Sequence, residues 1–381
     1  MGFNLGSTLH PSHPLGVSFL DSSVRISGDA HHTLTLEMQD HGSVGSLNEF
    51  LSIWGHDVSL LSTGELKMLE CLGLEQVNAV SLLPAPTLKR RLAEISRLAQ
   101  EVSRADEMGW LEVYTQGRGF LDSLQPFRIE PTIPTDPEVE TPWDIAARLG
   151  DPVNVTYSMS STITGRLTVS SGPNTLTATP EERSRWRDPN GAPLIELDIS
   201  ALEPTILFGL QAPGFDPGDD LYDAVNRVWF DSGLTRDVAK QVTISLCYGA
   251  TRRSLVTLGA SESGVQRLVT DLGLAGLGKR LQEELGDKGY ITSPTGRPVR
   301  PKSKNPRLGA LINNFVQSAG VDVSLEIFRK TCAAWSCVPH AVVHDAVYIS
   351  GDDLTPGTHR ECSDILRGMQ FRFTTKSVTD D

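Results

Sequence analysis

The run His340-Ala341-Val342-Val343-His344-Asp345-Ala346-Val347-Tyr348-Ile349-Ser350 decides how this chain is read. It is apolar and β-branched on both sides of its middle, where His344 and Asp345 interrupt it. That pattern reads as strand, polar break, strand. An ionised carboxylate inside such a segment is costly unless it is paired or holds a metal. A second acid keeps similar company: Asp198 follows Leu194-Ile195-Glu196-Leu197, a short apolar strand that ends in an acid. One such aspartate alone also fits a strand end that faces water. Two of them, 147 residues apart at the tips of strands, can converge in one sheet. Converging carboxylates suit a pair of Mg²⁺ ions, which take oxygen ligands, keep waters and accept substrate phosphates. Two metals ~4 Å apart can activate an attacking oxygen and steady a leaving one.

Between the two acids lies a helix with its own pattern. Thr235 is placed as an N-cap before Arg236. Arg236, Lys240, Ile244 and Tyr248 follow at steps of four, each drifting only ~40° on a helix of 3.6 residues per turn. The two cations stand near the helix N-terminus, where the dipole also favours anions. An aliphatic and an aromatic residue follow on the same side, and Gly249 ends the helix. The layout suits a nucleoside triphosphate, with phosphates at the cationic end and the base toward Ile244 and Tyr248. An ordinary amphipathic helix with snorkelling cations has the same pattern.

Working outward, residues 218–250, 262–287 and 308–335 read as helical, and Gly289 to Arg297 as a hairpin. Toward the N-terminus, Leu88, Leu92, Ile95, Leu98 and Val102 recur at helical spacing, and a second helix runs through Trp110 to Leu124. Pro126, Pro131, Pro134, Pro137 and Pro142 mark 126–142 as a linker or extended wrap. Residues 46–83 look helical and loosely patterned. Residues 1–45 carry short alternating stretches that suggest a small strand pair or an arm. Helical and strand pieces are segregated rather than alternating, which predicts an α+β fold.

The chain has 381 residues, 39% hydrophobic and 21% charged, enough to bury a large core without disulfides. Cys71, Cys247, Cys332, Cys337 and Cys362 are scattered and odd in number, which reads as reduced thiols. No window approaches a membrane span, and Met1 to Pro14 lacks the pattern of a signal peptide. The expectation is therefore a cytoplasmic protein with no membrane partner. The net charge of −13 argues against polyanion binding over the whole surface but allows a local basic groove. The best nucleic-acid candidate by charge is Arg297, Arg300, Lys302, Lys304 and Arg307, broken by Pro298, Pro301 and Pro306.

Five stretches then line up in one order. Thr164-Gly165-Arg166-Leu167 with Pro173-Asn174 looks like a TGRL…PN segment with one extra residue. Asp198-Ile199-Ser200-Ala201-Leu202-Glu203 looks like DYSQIE, and Arg236-x₃-Lys240-x₇-Tyr248-Gly249 has the spacing of a finger helix. Asn313-x₃-Gln317 with Asp322 is similar to NxPxQGxxxD, and Val343-His344-Asp345 looks like the start of HDE with its preceding residue. In these segments the chain resembles family A DNA polymerases, the DNA polymerase I-like group, over roughly residues 155–350, with 85–155 loosely thumb-like.

The resemblance implies a right-hand polymerase fold: a palm with an antiparallel sheet, helical fingers and a thumb. It places the thumb at 85–155, the palm at 156–205 and 291–381 and the fingers at 206–290, with 1–84 of no assigned role. It implies a template-directed DNA polymerase, a nucleotidyltransferase that extends a primer 3′-OH with dNTPs on primer–template DNA. Asp198, Asp345 and the Ile199 carbonyl would hold two Mg²⁺ ions, with Mn²⁺ as a substitute. Arg236 and Lys240 would hold the triphosphate, and Lys240 would also protonate the leaving pyrophosphate. Ile244 and Tyr248 would sit at the nascent base pair. Arg166, Asn313 and Gln317 would touch the primer–template terminus, and His344 would steady the primer end. Glu203 matches the family's sugar-reading glutamate and predicts dNTPs over rNTPs.

The sequence also departs from the family. Ala346 replaces the third acid of HDE, Ile244 replaces an aromatic, and Pro204-Thr205 replaces the usual residues after Glu203. Ser318 replaces a glycine, and only 37 residues lie between Asp198 and Arg236. The stretch before residue 85 is too short for a proofreading exonuclease, so none is expected. A small version of this kind suits a phage or mobile element in a bacterial host, and the family default is a monomer. Two other readings fit the same residues. One is a polymerase that takes rNTPs or an RNA template; the other is a degenerate, non-catalytic protein that binds primer–template junctions.

Overall fold

A computed structural model describes residues 17–19, 24–28, 34–38, 42–56, 64, 67–68, 71, 85–131, 141–351 and 357–378. The chain forms two compact units, residues 1–122 and 123–381. The division falls inside the 85–155 stretch read as a thumb.

In the first unit, β1 (Val17–Phe19), β2 (Val24–Gly28), β3 (Leu34–Met38) and β4 (Gly42–Ser46) form an antiparallel meander in sequence order. The alternating stretches near the N-terminus thus build four strands where a pair or an arm was expected. Helix α1 (Leu47–Ile53) covers the start of the 46–83 segment, most of which lies outside the described residues. Helix α2 (Ala85–Ala105) follows the 3.6-residue stripe. Val102 of that stripe is buried, while Leu88, Leu92 and Ile95 lie outside the described side chains. Helix α3 (Trp110–Asp122) starts where the Asp106 carboxylate accepts from the Trp110 and Leu111 N–H groups at 2.7 and 2.9 Å. Phe50 stacks on Trp110 at 5.7 Å and tilts against Tyr114 at 5.3 Å, which closes a small aromatic core.

The second unit starts with β5 (Arg128–Ile129), α4 (Pro142–Leu149), β6 (Thr156–Ser158), β7 (Thr168–Ser171), α5 (Pro180–Arg183) and β8 (Trp186–Arg187). Of the proline-rich stretch, 132–140 lie outside the described residues. Next come β9 (Ile195–Ile199), α6 (Leu202–Gln211), α7 (Leu221–Phe230) and α8 (Arg236–Cys247). Then follow α9 (Arg252–Thr257), α10 (Glu262–Asp271), α11 (Leu274–Lys288), β10 (Ile291–Thr292) and β11 (Pro298–Val299). The unit ends with α12 (Leu308–Trp335), β12 (Val338–Val343), β13 (Ala346–Ser350), β14 (Gly357–Cys362) and β15 (Gln370–Ser377).

The sheet that matters runs β12-β13-β9-β15-β14, antiparallel throughout. Strand β9 is at its centre. Its period-2 alternation sends Leu197 and Ile199 to one face and Glu196 and Asp198 to the other. The 340–350 run folds as read: β12 and β13 are a hairpin with His344 and Asp345 in its turn, and His344 takes φ +52°.

The strands and helices segregate, so the fold is mixed α+β. Helix α8 buries Ala239, Val242, Thr243 and Leu246 and leaves Arg236 and Lys240 exposed. Thr235 caps it, accepting from Val238 N–H at 3.4 Å. The helix ends at Gly249 (φ +75°), and a Cβ there would stand 2.3 Å from the Gly309 carbonyl oxygen of α12. The two backbones therefore touch with no side chain between them. Gly249→Ala is expected to cost more than the ~1–2 kcal/mol of a left-handed alanine, because the neighbour is backbone and cannot swing away. Urea denaturation checks this, and an unchanged midpoint would mean that the helices do not abut at this point.

Candidate active site

The two aspartates picked out by sequence meet at one end of the sheet. Ala346 is the cross-strand partner of Asp198, so Asp345 stands one residue from that pairing. The Ile199 N–H donates to the Asp345 carbonyl at 2.9 Å, which ties the hairpin turn to the end of β9. Burial, then the negative charges of Glu203 and Asp198, push the Asp345 carboxyl up to about 7, while Arg166 pulls the other way. The Asp198 carboxyl is also raised, by burial and then by Glu196; Lys376, Lys240 and Arg183 oppose the rise. Lys240, on the exposed stripe of α8, thus acts electrostatically on the acid that the sequence pairs it with.

This donor set fits a hard divalent cation. Two carboxylates with raised proton affinity lack positive charge, and a cation held between them would relieve the mutual repulsion. The two carboxylates of Asp198 and Asp345 are close enough to act on one another, and Glu203 adds a third acid whose charge reaches Asp345; the sequence expectation adds the Ile199 carbonyl as a ligand. Among the described residues no group of three or more His, Cys, Asp or Glu side chains is arranged around one metal position. Further coordination would have to come from water and substrate.

Beside the acids is a polar cluster. Arg166 reaches Glu203 Oε1 at 3.3 Å and the Tyr248 hydroxyl at 3.2 Å, and its guanidinium lies 5.9 Å from the Tyr248 ring centre. Three segments far apart in sequence are joined here. Tyr248 is 46% exposed, so its ring faces open space. Arg236 is engaged elsewhere: its Nε and one terminal nitrogen both donate to Asp220 Oδ2, at 2.9 and 2.6 Å, and it lies over the Tyr222 ring at 5.6 Å. Ile244 is half-buried behind the two cations.

Asn313 and Gln317 share one side of α12 and are half-buried. Asn313 Oδ1 is buried and has no hydrogen-bond partner among the described residues, so an acceptor stands unused there. His344 stands partly exposed at the turn, and partial burial of its ring, then Arg166 and Arg183, lower its imidazole pKa.

One site feature went the other way. Arg297, placed by sequence in the basic cluster, is 1% exposed and cannot contact a nucleic acid. Its guanidinium donates to Asp322 Oδ1 at 3.3 Å and to the Met159 carbonyl, while Thr295 Oγ1 donates to Asp322 Oδ2 at 2.6 Å. A Cβ on Gly165 would sit 2.0 Å from that guanidinium, so glycine alone fits beside it. The pair thus holds the segment that carries Arg166. Arg300 in the same cluster is half-buried over the Tyr290 ring at 4.9 Å; Lys302, Lys304 and Arg307 are exposed. A charge run read without burial cannot separate these two groups. Sequence reasoning also passed over Glu196, which is buried, accepts from the Tyr348 hydroxyl and pairs with Lys376 at 3.4 Å. Its signal was present: residue i−2 on a strand shares the face of Asp198.

No family model matches the chain, and no curated protein matches it. Among solved structures it is similar to the POL domain of Pol1 from M. smegmatis in complex with DNA primer-template and dNTP. The identity is 17% and the TM-score 0.39; the match covers 81% of this chain and 57% of that one. The chain therefore spans little more than half of that structure's length. A likeness of this order transfers neither fold detail nor activity. Among the described residues no helix is long and apolar enough to cross a membrane.

Two outcomes are expected. With chelator present, stability should fall as pH rises from the ordinary carboxylate range near ~4 toward 7, because the folded state holds the Asp345 proton more tightly than the unfolded chain does. Asp345→Asn should remove much of that slope in urea titrations across the pH range. Arg297→Lys keeps the charge but loses the fork that spans Asp322 and Met159, and should cost ~1–3 kcal/mol in the same assay.

Proposed function

We propose that this chain is a template-directed DNA polymerase that extends a primer 3′-OH with dNTPs. The observation that carries the reading is the convergence of Asp198 and Asp345 with Lys240 of α8 beside them and the Arg166–Glu203–Tyr248 cluster next to them. On this reading 156–205 and 291–381 form the palm, 206–290 the fingers and 85–155 the thumb.

The primer 3′-hydroxyl gives its proton to water and its oxygen forms a bond to the α-phosphorus, the bond from that phosphorus to its bridging oxygen breaks, and pyrophosphate leaves. Mg²⁺ ions on Asp198, Asp345 and the Ile199 carbonyl would supply the charge that activates the hydroxyl and steadies the leaving oxygens. Lys240 hands a proton to the departing pyrophosphate. Arg236 holds the triphosphate after exchanging Asp220 for it, a trade between two charge-assisted partners. Glu203, held by Arg166, stands where the sugar 2′ position would come and disfavours a ribose hydroxyl. Asn313 and Gln317, half-buried on one side of α12, would stand on the minor-groove side of the primer terminus. DNA contacts of this kind are largely to phosphate, so binding should weaken with salt and tolerate sequence change.

The test is extension of a labelled DNA primer on DNA and RNA templates with Mg²⁺, with dNTPs and rNTPs run in parallel. Extension with dNTPs is expected, lost by at least ~10³-fold in Asp198→Ala. Glu203→Ala should raise rNTP use relative to dNTP. Retained junction binding without any extension by the intact protein would assign a non-catalytic, junction-binding role instead.

A further inference from the structure

A cavity of about 440 Å³ opens beside the candidate site, lined among others by Arg236, Arg360, Arg372, Phe208, Phe371 and Tyr222. Arg360 and Arg372 are direct cross-strand partners on β14 and β15. Like charges opposed in an antiparallel ladder destabilise it unless an anion lies between them. Here that anion is a single carboxylate oxygen: Asp219 Oδ1 accepts from Arg372 at 2.7 Å and from Arg360 at 3.1 Å. Asp219 is 93% exposed, so water competes for it from every side. Its neighbour Asp220 occupies Arg236 in the same way. Asp216, also in the lining, accepts from the Gly218 N–H at 2.9 Å and so shapes the loop that carries both acids. Three guanidiniums around one cavity are thus held by two consecutive aspartates of one loop.

That arrangement matches a ligand with two linked tetrahedral anions. A diphosphate presents more acceptor oxygens than a carboxylate and twice or more its charge, and arginine forks bind such groups bidentately. We propose that the cavity is a binding site for inorganic pyrophosphate, reached when the anion displaces Asp219 from Arg360 and Arg372. The inference rests on the polymerase reading for its physiological source, since pyrophosphate is what that reaction releases. Arg236 lines the cavity and also lies on the α8 stripe, so one arginine is shared between that stripe and the pyrophosphate site.

The test is calorimetric titration of the full-length, DNA-free protein with sodium pyrophosphate and, separately, with dATP. Arg360→Gln/Arg372→Gln is expected to weaken pyrophosphate binding at least ~10-fold, the loss of charge-assisted hydrogen bonds, and to change dATP binding less than twofold. Asp219→Asn removes the internal competitor, leaves both arginines in place and should tighten pyrophosphate binding ~5-fold. Pyrophosphate binding unchanged by all of these substitutions would overturn the site. Equal loss of dATP and pyrophosphate would overturn its assignment to the product. Because binding is read without turnover, a protein that fails to extend primers yet binds pyrophosphate through these arginines disproves the polymerase reading and keeps the site.

Discussion

Two carboxylates at the ends of neighbouring strands cannot both be charged and dry. The pairing of β13 with β9 forces Asp198 and Asp345 together, and the cost shows in the raised proton affinity of both. Much of the surrounding architecture supplies positive charge to that point. Lys376 comes from the neighbouring strand, Lys240 from the helix above the sheet, and Arg183 and Arg166 from the segments that lead into β8 and follow β6. These cations offset the two charges only in part: Lys376 is paired with Glu196, Arg166 with Glu203, Arg183 lies over the Tyr348 ring and Lys240 stands in solvent. On the proposed reading, a small hard cation would take up the remaining negative charge.

The second constraint is the buried Arg297–Asp322 pair. It lies among backbone and hydroxyl partners that saturate much of the carboxylate and the fork. Such a pair adds little net stability compared with apolar residues of the same volume, but losing one member leaves an uncompensated charge in the core. What it gives here is placement. The guanidinium fills the space over Gly165, so the following residue, Arg166, emerges at one angle toward Glu203 and Tyr248.

Local pattern was legible in the sequence. The 3.6-residue stripe and Thr235 marked α8, the break at His344-Asp345 marked the hairpin, and the apolar run ending at Asp198 marked the central strand. Helix α12 spans the same 308–335 that the sequence marks as helical. What failed to show was pairing across distance. Arg297 and Lys302 look alike in a charge run, yet one is sealed beneath a glycine and the other is in water. Arg236 was placed on a substrate-facing stripe, and its engagement with Asp220, sixteen residues earlier, depends on how the 212–220 loop folds back. The four-stranded meander near the N-terminus was under-read because short alternating stretches fix strands individually and not their number.

The contact between Gly249 and Gly309 has a mechanical meaning. A side chain at either glycine would hold the two helices apart, so the C-terminal end of α8 is seated on α12 by backbone alone. Tyr248, one residue before Gly249, is thereby held where the Arg166 guanidinium reaches its hydroxyl. Arg236 lies ~20 Å away along the axis at 1.5 Å per residue. That end is held by Asp220 instead. The two ends of one helix are thus fixed by unlike means, one by the absence of a side chain and the other by an ion pair.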